Sequence, residues 1–274
     1  SVLILAVLTV AFLTSASTGL GQGIKILSNV NMAMVVTLML VVLVVGPTAY
    51  IMESFVNSVG DYAAALPSYS FRLLSYENQM DWTTAWTLTY LIWWVAWGPF
   101  VGIFIARISR GRTIREFVIG VVLLPTLFSI LWFAVLGGTG IWIELNGGGG
   151  LSELVASDTA AALFAFFDYL PMGRIMGFVA LFLIFIFLVT SADSGTFVIS
   201  MMTSEGRLNP STPLKLAWGG AIALLTLAIL FSGSVEVAKA MAIFGAVPFT
   251  LILMIQIVAF LRALREERVG EASS

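Results

Sequence analysis

Three tryptophans stand within five residues at Trp93, Trp94 and Trp97, in the stretch "WWVAWGPFVGIFIARISRGRTIREF" from Trp93 to Phe117. Indole faces attract cations without a full counter-charge, and tryptophan does so better than the other aromatics. Trp93, Trp97, Phe100 and Phe104 recur at i, i+4, i+7 and i+11, which is one face of a helix. Such a face fits two roles: helix packing, or one wall of a cage for a quaternary ammonium. A second polar cluster, "FLVTSADSGTF", sets Thr190 and Ser191 one turn after Phe187. Hydroxyls and unpaired carbonyls are the ligands a hard cation takes. The same hydroxyls can instead bond back to the preceding turn. Asp193 is an acid within or beside an apolar segment, and we read it as a helix-end or gating group.

The elements that carry these residues are set by composition. The 274-residue chain is 59% hydrophobic and 10% charged, with a net charge of −2 and a mean hydropathy of +1.03. A water-soluble domain could not cover that much apolar surface, so lipid is the solvent for most of the chain. With no histidine and no cysteine, thiol nucleophiles, histidine bases, disulfides and the common zinc sites are excluded, and enzymatic chemistry is disfavoured. The chain opens inside an apolar run with no initiator methionine. We read it as the later part of a longer membrane protein.

A spanning helix needs about 20 mostly apolar residues. Seven stretches are predicted to span: Ser1–Gly21, Asn31–Glu53, Trp82–Ile105, Ile114–Leu136, Met172–Met201, Leu214–Phe231 and Val237–Leu264. The segment from Met172 is long enough to require tilt or a break. Gly60–Gln79 is too polar to span and predicts a helix along the membrane surface. "NGGGG" at 146–150 predicts a flexible loop, followed by a short interfacial helix capped by Ser157. Lys25, Arg107, Arg110, Arg112, Arg115, Arg207, Lys215, Arg262, Arg265 and Arg268 fall on one side of this alternation, and the other holds Arg72 and Arg174 but most acids of the loops. The positive-inside rule then makes the "RISRGRTIRE" loop and the C-terminus cytoplasmic.

Along the tryptophan span, Trp97 lies roughly 22 Å beyond Trp82 and roughly 15 Å before Arg107 at helical rise. Trp82 and Trp86 suit the interfacial belt, whereas Trp93, Trp94 and Trp97 fall inside the hydrocarbon layer. Pro99 removes a hydrogen-bond donor there and frees a carbonyl near position 95, which predicts a broken helix of the kind that forms transporter sites.

The whole stretch from Trp93 to Phe117 resembles the signature of the betaine/carnitine/choline transporter family. "SNVNM" (28–32) and "TSADS" (190–194) agree with it. The resemblance implies an all-α integral membrane protein with the inverted-repeat fold of the sodium symporters, of which this chain is spans six to twelve of twelve. On that reading residues 1–59 hold the last two helices of the first repeat. Residues 60–80 are the extracellular surface helix, 82–264 the second repeat, and 265–274 a cytoplasmic tail. The resemblance further implies an importer of glycine betaine or a choline-like compatible solute, serving osmoprotection, in the plasma membrane, surrounded by lipid and assembled as a homotrimer with no nucleic-acid partner. Trp93, Trp94 and Trp97 match the family's substrate-binding tryptophans. Phe187 (through its carbonyl), Thr190 and Ser191 match its sodium site, and Phe100 a position beside a second sodium. Exchangers of carnitine-like compounds in the family run without sodium and lack the "GPF" that follows the tryptophans. Gly98-Pro99-Phe100 therefore groups this chain with the sodium-coupled members. The remaining alternatives are such an exchanger, or a channel or structural membrane subunit that uses the tryptophan face for packing.

Overall fold

The computed structural model describes residues 2–18, 23–72, 82–205, 207 and 209–272. Among them every regular element is helical: α1 (Val2–Thr18), α2 (Gly23–Val45), α3 (Thr48–Ser70), α4 (Thr89–Ile108, led in by a π-helical turn at Thr83–Leu88), α5 (Ile114–Asn146), α6 (Leu151–Ser157), α7 (Thr159–Asp168), α8 (Gly173–Met202), α9 (Thr212–Ser232) and α10 (Val235–Ala272). Among the described residues six apolar segments are long enough to cross a bilayer: Ile26–Val45, Trp86–Ala106, Ile114–Asn146, Gly173–Met202, Thr212–Ser232 and Ile243–Glu266. The protein is thus an all-α, multi-pass membrane protein. The first predicted span is the shorter helix α1, of 17 residues, and positions 19–21 of that prediction lie outside the described residues.

Local chemistry explains the boundaries. The span predicted over Asn31–Glu53 stops at Val45, because Pro47 has no N–H to continue the ladder. Gly46 closes α2 onto the Val42 carbonyl at 2.8 Å, and Thr48 restarts a helix at once. The surface helix expected at Gly60–Gln79 consequently begins at Thr48 and runs to Ser70. Its predicted remainder from residue 73 lies outside the described residues. At the start of α5, Thr113 and Glu116 form a capping box: the Thr113 hydroxyl accepts from the Glu116 amide at 3.2 Å, and the Glu116 carboxylate accepts from the Thr113 amide at 3.0 Å.

The "NGGGG" loop is held rather than loose. Gly148, Gly149 and Gly150 all have positive φ (98°, 74° and 92°), a run that only glycine adopts without strain. Glu144 reaches across the loop to accept from the Leu151 and Ser152 amides and the Ser152 hydroxyl at 2.6–3.1 Å. The Tyr169 hydroxyl donates to the Gly149 carbonyl. The cap of α7 is Asp158, whose carboxylate accepts from the Ala160 and Ala161 amides, and not Ser157. Ser157 is the last residue of α6, and its hydroxyl bonds back to Glu153 and Leu154. A carboxylate one residue nearer the helix start outcompetes the hydroxyl for those amides.

The chain forms two compact units, one of Ser1–Ser17, Leu73–Arg110 and Ala192–Ser274, the other of Thr18–Arg72 and Gly111–Ser191. The second unit has a contiguous apolar core in which Val42 and Ile51 meet Val135, Ile143, Phe166, Phe167 and Met176. The first unit is built on the pairing of α4 with α10 and on a junction of α1, α8 and α9.

Candidate functional site

The tryptophans sit on α4, which runs unbroken from Thr89 to Ile108 with Pro99 inside it. The predicted break at the bilayer centre is therefore corrected. The lost i−4 hydrogen bond at Pro99 is tolerated within one helix, and the irregular geometry lies earlier, in the π-helical turn at Thr83–Leu88. Trp86 of that turn stacks on Tyr90 of α4 with ring centroids 5.7 Å apart.

Gly98 fixes the rotation of α4. A Cβ placed on it would stand 3.4 and 3.5 Å from the δ carbons of Leu253 on α10, so this stripe is the close approach between the two helices. With 3.6 residues per turn, Trp97, Phe104, Trp93 and Phe100 lie between about 100° and 160° round the helix from Gly98, and Trp94 about 40° from it. The row of Trp93, Trp97, Phe100 and Phe104 is thus turned away from the α10 seam, whereas Trp94 lies beside it. Trp93, Trp94 and Trp97 keep 47%, 65% and 46% of their surface open. Trp97 tilts onto Phe100 with centroids 6.0 Å apart, and the Phe100 ring tip lies 3.8 Å from where a Cβ of Gly195 would be. The three indoles are held together on one part of one helix, and none of them is jammed into a packed core.

On α8 the polar motif does not interrupt the helix, which is continuous from Gly173 to Met202. The hydroxyl of Thr190 donates back to the carbonyls of Ile186 (3.0 Å) and Phe187 (3.1 Å). This places two oxygens of the predicted ligand set, Thr190 Oγ1 and Phe187 O, 3.1 Å apart. The Thr190 hydroxyl keeps its lone pairs, whereas the Phe187 carbonyl stands in the ladder of a continuous helix and accepts from Thr190 as well. Ser191 is exposed on the next position. Among the described residues no group of three or more acids is clustered as for a divalent metal.

Two expectations about charge change. Asp193 lies nine-residue-deep inside α8 rather than at its end: the helix continues to Met202, and Asp193 is 1% exposed. Lys215, counted in the sequence among the charges that set topology, is 6% exposed and donates its ammonium to the Ala16 carbonyl at 2.7 Å. Sequence reasoning missed Lys215 because a lysine near a helix start reads as a loop charge. The available signal was its position four residues before Gly219, which puts it on the same face as a small-residue contact.

The profile described as "BCCT, betaine/carnitine/choline family transporter" matches residues 1–269. The chain is 42% identical over 266 residues to the glycine betaine transporter OpuD of Bacillus subtilis (strain 168), covering 97% of this chain and 51% of that protein. It is 41% identical over 261 residues to the ectoine/hydroxyectoine transporter of Virgibacillus pantothenticus, covering 95% and 52%, and 37% identical over 265 residues to a glycine betaine transporter of Acinetobacter baylyi, covering 96% and 40%. The chain spans about half the length of the first two of these relatives. Six spanning helices, an open row of indoles at mid-span and a profile match along almost the whole sequence agree: the chain belongs to the betaine/carnitine/choline family of transporters.

Proposed function

We propose that the protein to which this chain belongs is a secondary transporter that imports a quaternary-ammonium compatible solute of the glycine betaine class, coupled to sodium. The observation that carries the reading is the group of half-open indoles on α4, with Trp93 and Trp97 turned off the α10 seam and Trp94 at its edge. Methyl groups of a trimethylammonium pack on Trp93, Trp94 and Trp97, where cation–π attraction strengthens as water is excluded. The walls opposite, and the groups that meet the solute's carboxylate, belong to the half of the relatives' length that this chain does not span. Two relatives are named for glycine betaine and one for ectoine and hydroxyectoine, which supports a zwitterionic osmolyte as cargo.

Sodium is the second cargo. Phe187, Thr190 and Ser191 supply its oxygens in this reading, with Phe100 beside a second ion. Each sodium that moves inward gains about 2.3 kcal/mol per 100 mV of membrane potential, which drives accumulation of the solute. In this scheme residues 1–59 close the first repeat, 60–80 link the repeats and 82–264 form the second. The exposed Arg110, Arg112 and Arg115 and the C-terminal residues 265–274 face the cytoplasm of a cell whose inner membrane holds the protein as a homotrimer. Uptake of labelled glycine betaine by cells expressing the full-length protein, with sodium replaced by potassium, tests the reading. Loss of uptake in potassium supports coupling, and undiminished uptake replaces it with sodium-independent exchange.

A further inference from the structure

Within the first unit, three helices meet at a buried polar junction. Lys215 is the fourth residue of α9. A cation in a first helical turn opposes the helix dipole, and a buried ammonium needs partners. Lys215 finds one in the Ala16 carbonyl, in the last turn of α1, where carbonyls lack intrahelical donors and a cation is favoured. The next residue back, Ser15, donates its hydroxyl to the Asp193 carboxylate of α8. Asp193 also lies within electrostatic reach of Lys215. The end of α1 is therefore gripped twice, by a cation from α9 and by an anion from α8.

The packing is close enough to make this grip specific. A Cβ on Gly219, one turn beyond Lys215, would collide with Leu13 of α1 and stand 3.1 Å from the Phe12 ring and 3.4 Å from Thr196 Cγ2 of α8. Thr196, one turn beyond Asp193, is fully buried, yet its hydroxyl has no partner among the described residues. Thr190, Ser200 and Thr203 bond back to the preceding turn in the same helix and its end. Thr196 differs from these three: it is a buried donor left unmet among the described residues, in the middle of the junction.

We propose that Asp193 and Lys215 form a charge latch that holds the end of α1 against α8 and α9, and that its release accompanies the change of access during transport. The second half of the proposal rests on the transporter reading above; the latch itself does not. Neutralising one of two buried, opposite charges leaves the other uncompensated, whereas neutralising both leaves no buried charge, so single variants are worse than the double.

The test uses the full-length protein in a background without other cysteines, since the 274 residues here contain none. Thr196→Cys reports opening through its rate of reaction with a maleimide. In the parent this cysteine is protected. In Asp193→Asn and in Lys215→Met it reacts several-fold faster. In the combined Asp193→Asn, Lys215→Met protein, and in Lys215→Arg, it returns toward the parent rate. Betaine uptake by the two single variants, normalised to membrane abundance, falls in maximal rate by on the order of tenfold with little change in KM, and the double variant recovers most of it. Unchanged labelling in both single variants, or a double variant no better than either single one, overturns the latch. If the unaltered protein moves no betaine, the labelling pattern still decides the latch, and only the transporter reading fails.

Discussion

Leu253 of α10 closes directly over the bare Cα of Gly98: its δ carbons are 3.4 and 3.5 Å from the position a Cβ would take. That single contact orients the tryptophan face, because it decides which side of α4 is spent on packing and which is left open. A branched side chain at Gly98 meets the Leu253 side chain and fits only if Leu253 gives way. Gly98→Val is expected to cost about 1–3 kcal/mol of packing strain, and to turn the indoles away from their present aspect. Gly98→Ala is expected to be far milder. Thermal unfolding of the two purified variants, followed by tryptophan fluorescence, checks the ordering.

The sodium set makes a separate prediction. Thr190→Val keeps the volume of threonine and removes the hydroxyl that now bridges to the Phe187 carbonyl at 3.1 Å. The expected outcome is an increase of roughly tenfold in the sodium concentration for half-maximal uptake, the cost of one to two kcal/mol for a lost ligand or hydrogen bond to a charged group. Ser191→Ala should act in the same direction. Titration of uptake against sodium at fixed betaine measures both, and Thr37→Val, whose hydroxyl bonds to Ala33 on the exposed side of α2, serves as the unaffected comparison.

A third prediction concerns the start of α5. The reciprocal bonds of Thr113 and Glu116 satisfy two amides that the helix cannot. Thr113→Val is expected to lower stability by about 1 kcal/mol, with transport per folded molecule retained, since both side chains are exposed and bond to each other's amides. Melting temperature and normalised uptake together distinguish that result from a role in transport.

Much of this was legible in the residues, for reasons that differ element by element. Long apolar runs cannot do anything but span, so the segments around Ile114 and Met172 were readable from composition alone. The tryptophan row was readable because its i, i+4, i+7 spacing survives any detail of packing. Pro99 misled, since a proline in water ends a helix, whereas a spanning helix can carry it with one ladder bond lost. Ser157 misled because Asp158, the stronger cap, is next to it. The Lys215 contact was hidden altogether: its partner, the Ala16 carbonyl, lies 199 residues away. Backbone acceptors leave no mark in a sequence.

The central claim is that the open indoles of α4 hold the solute's methylated nitrogen. Equilibrium binding of labelled glycine betaine to the purified full-length protein tests it most directly, comparing Trp97→Leu with Trp82→Leu. Loss of a cation–π wall worth up to about 2 kcal/mol should weaken binding up to roughly thirtyfold in Trp97→Leu, while Trp82→Leu binds as the parent does. Parent-like affinity in Trp97→Leu, or equal weakening in both variants, would contradict the account.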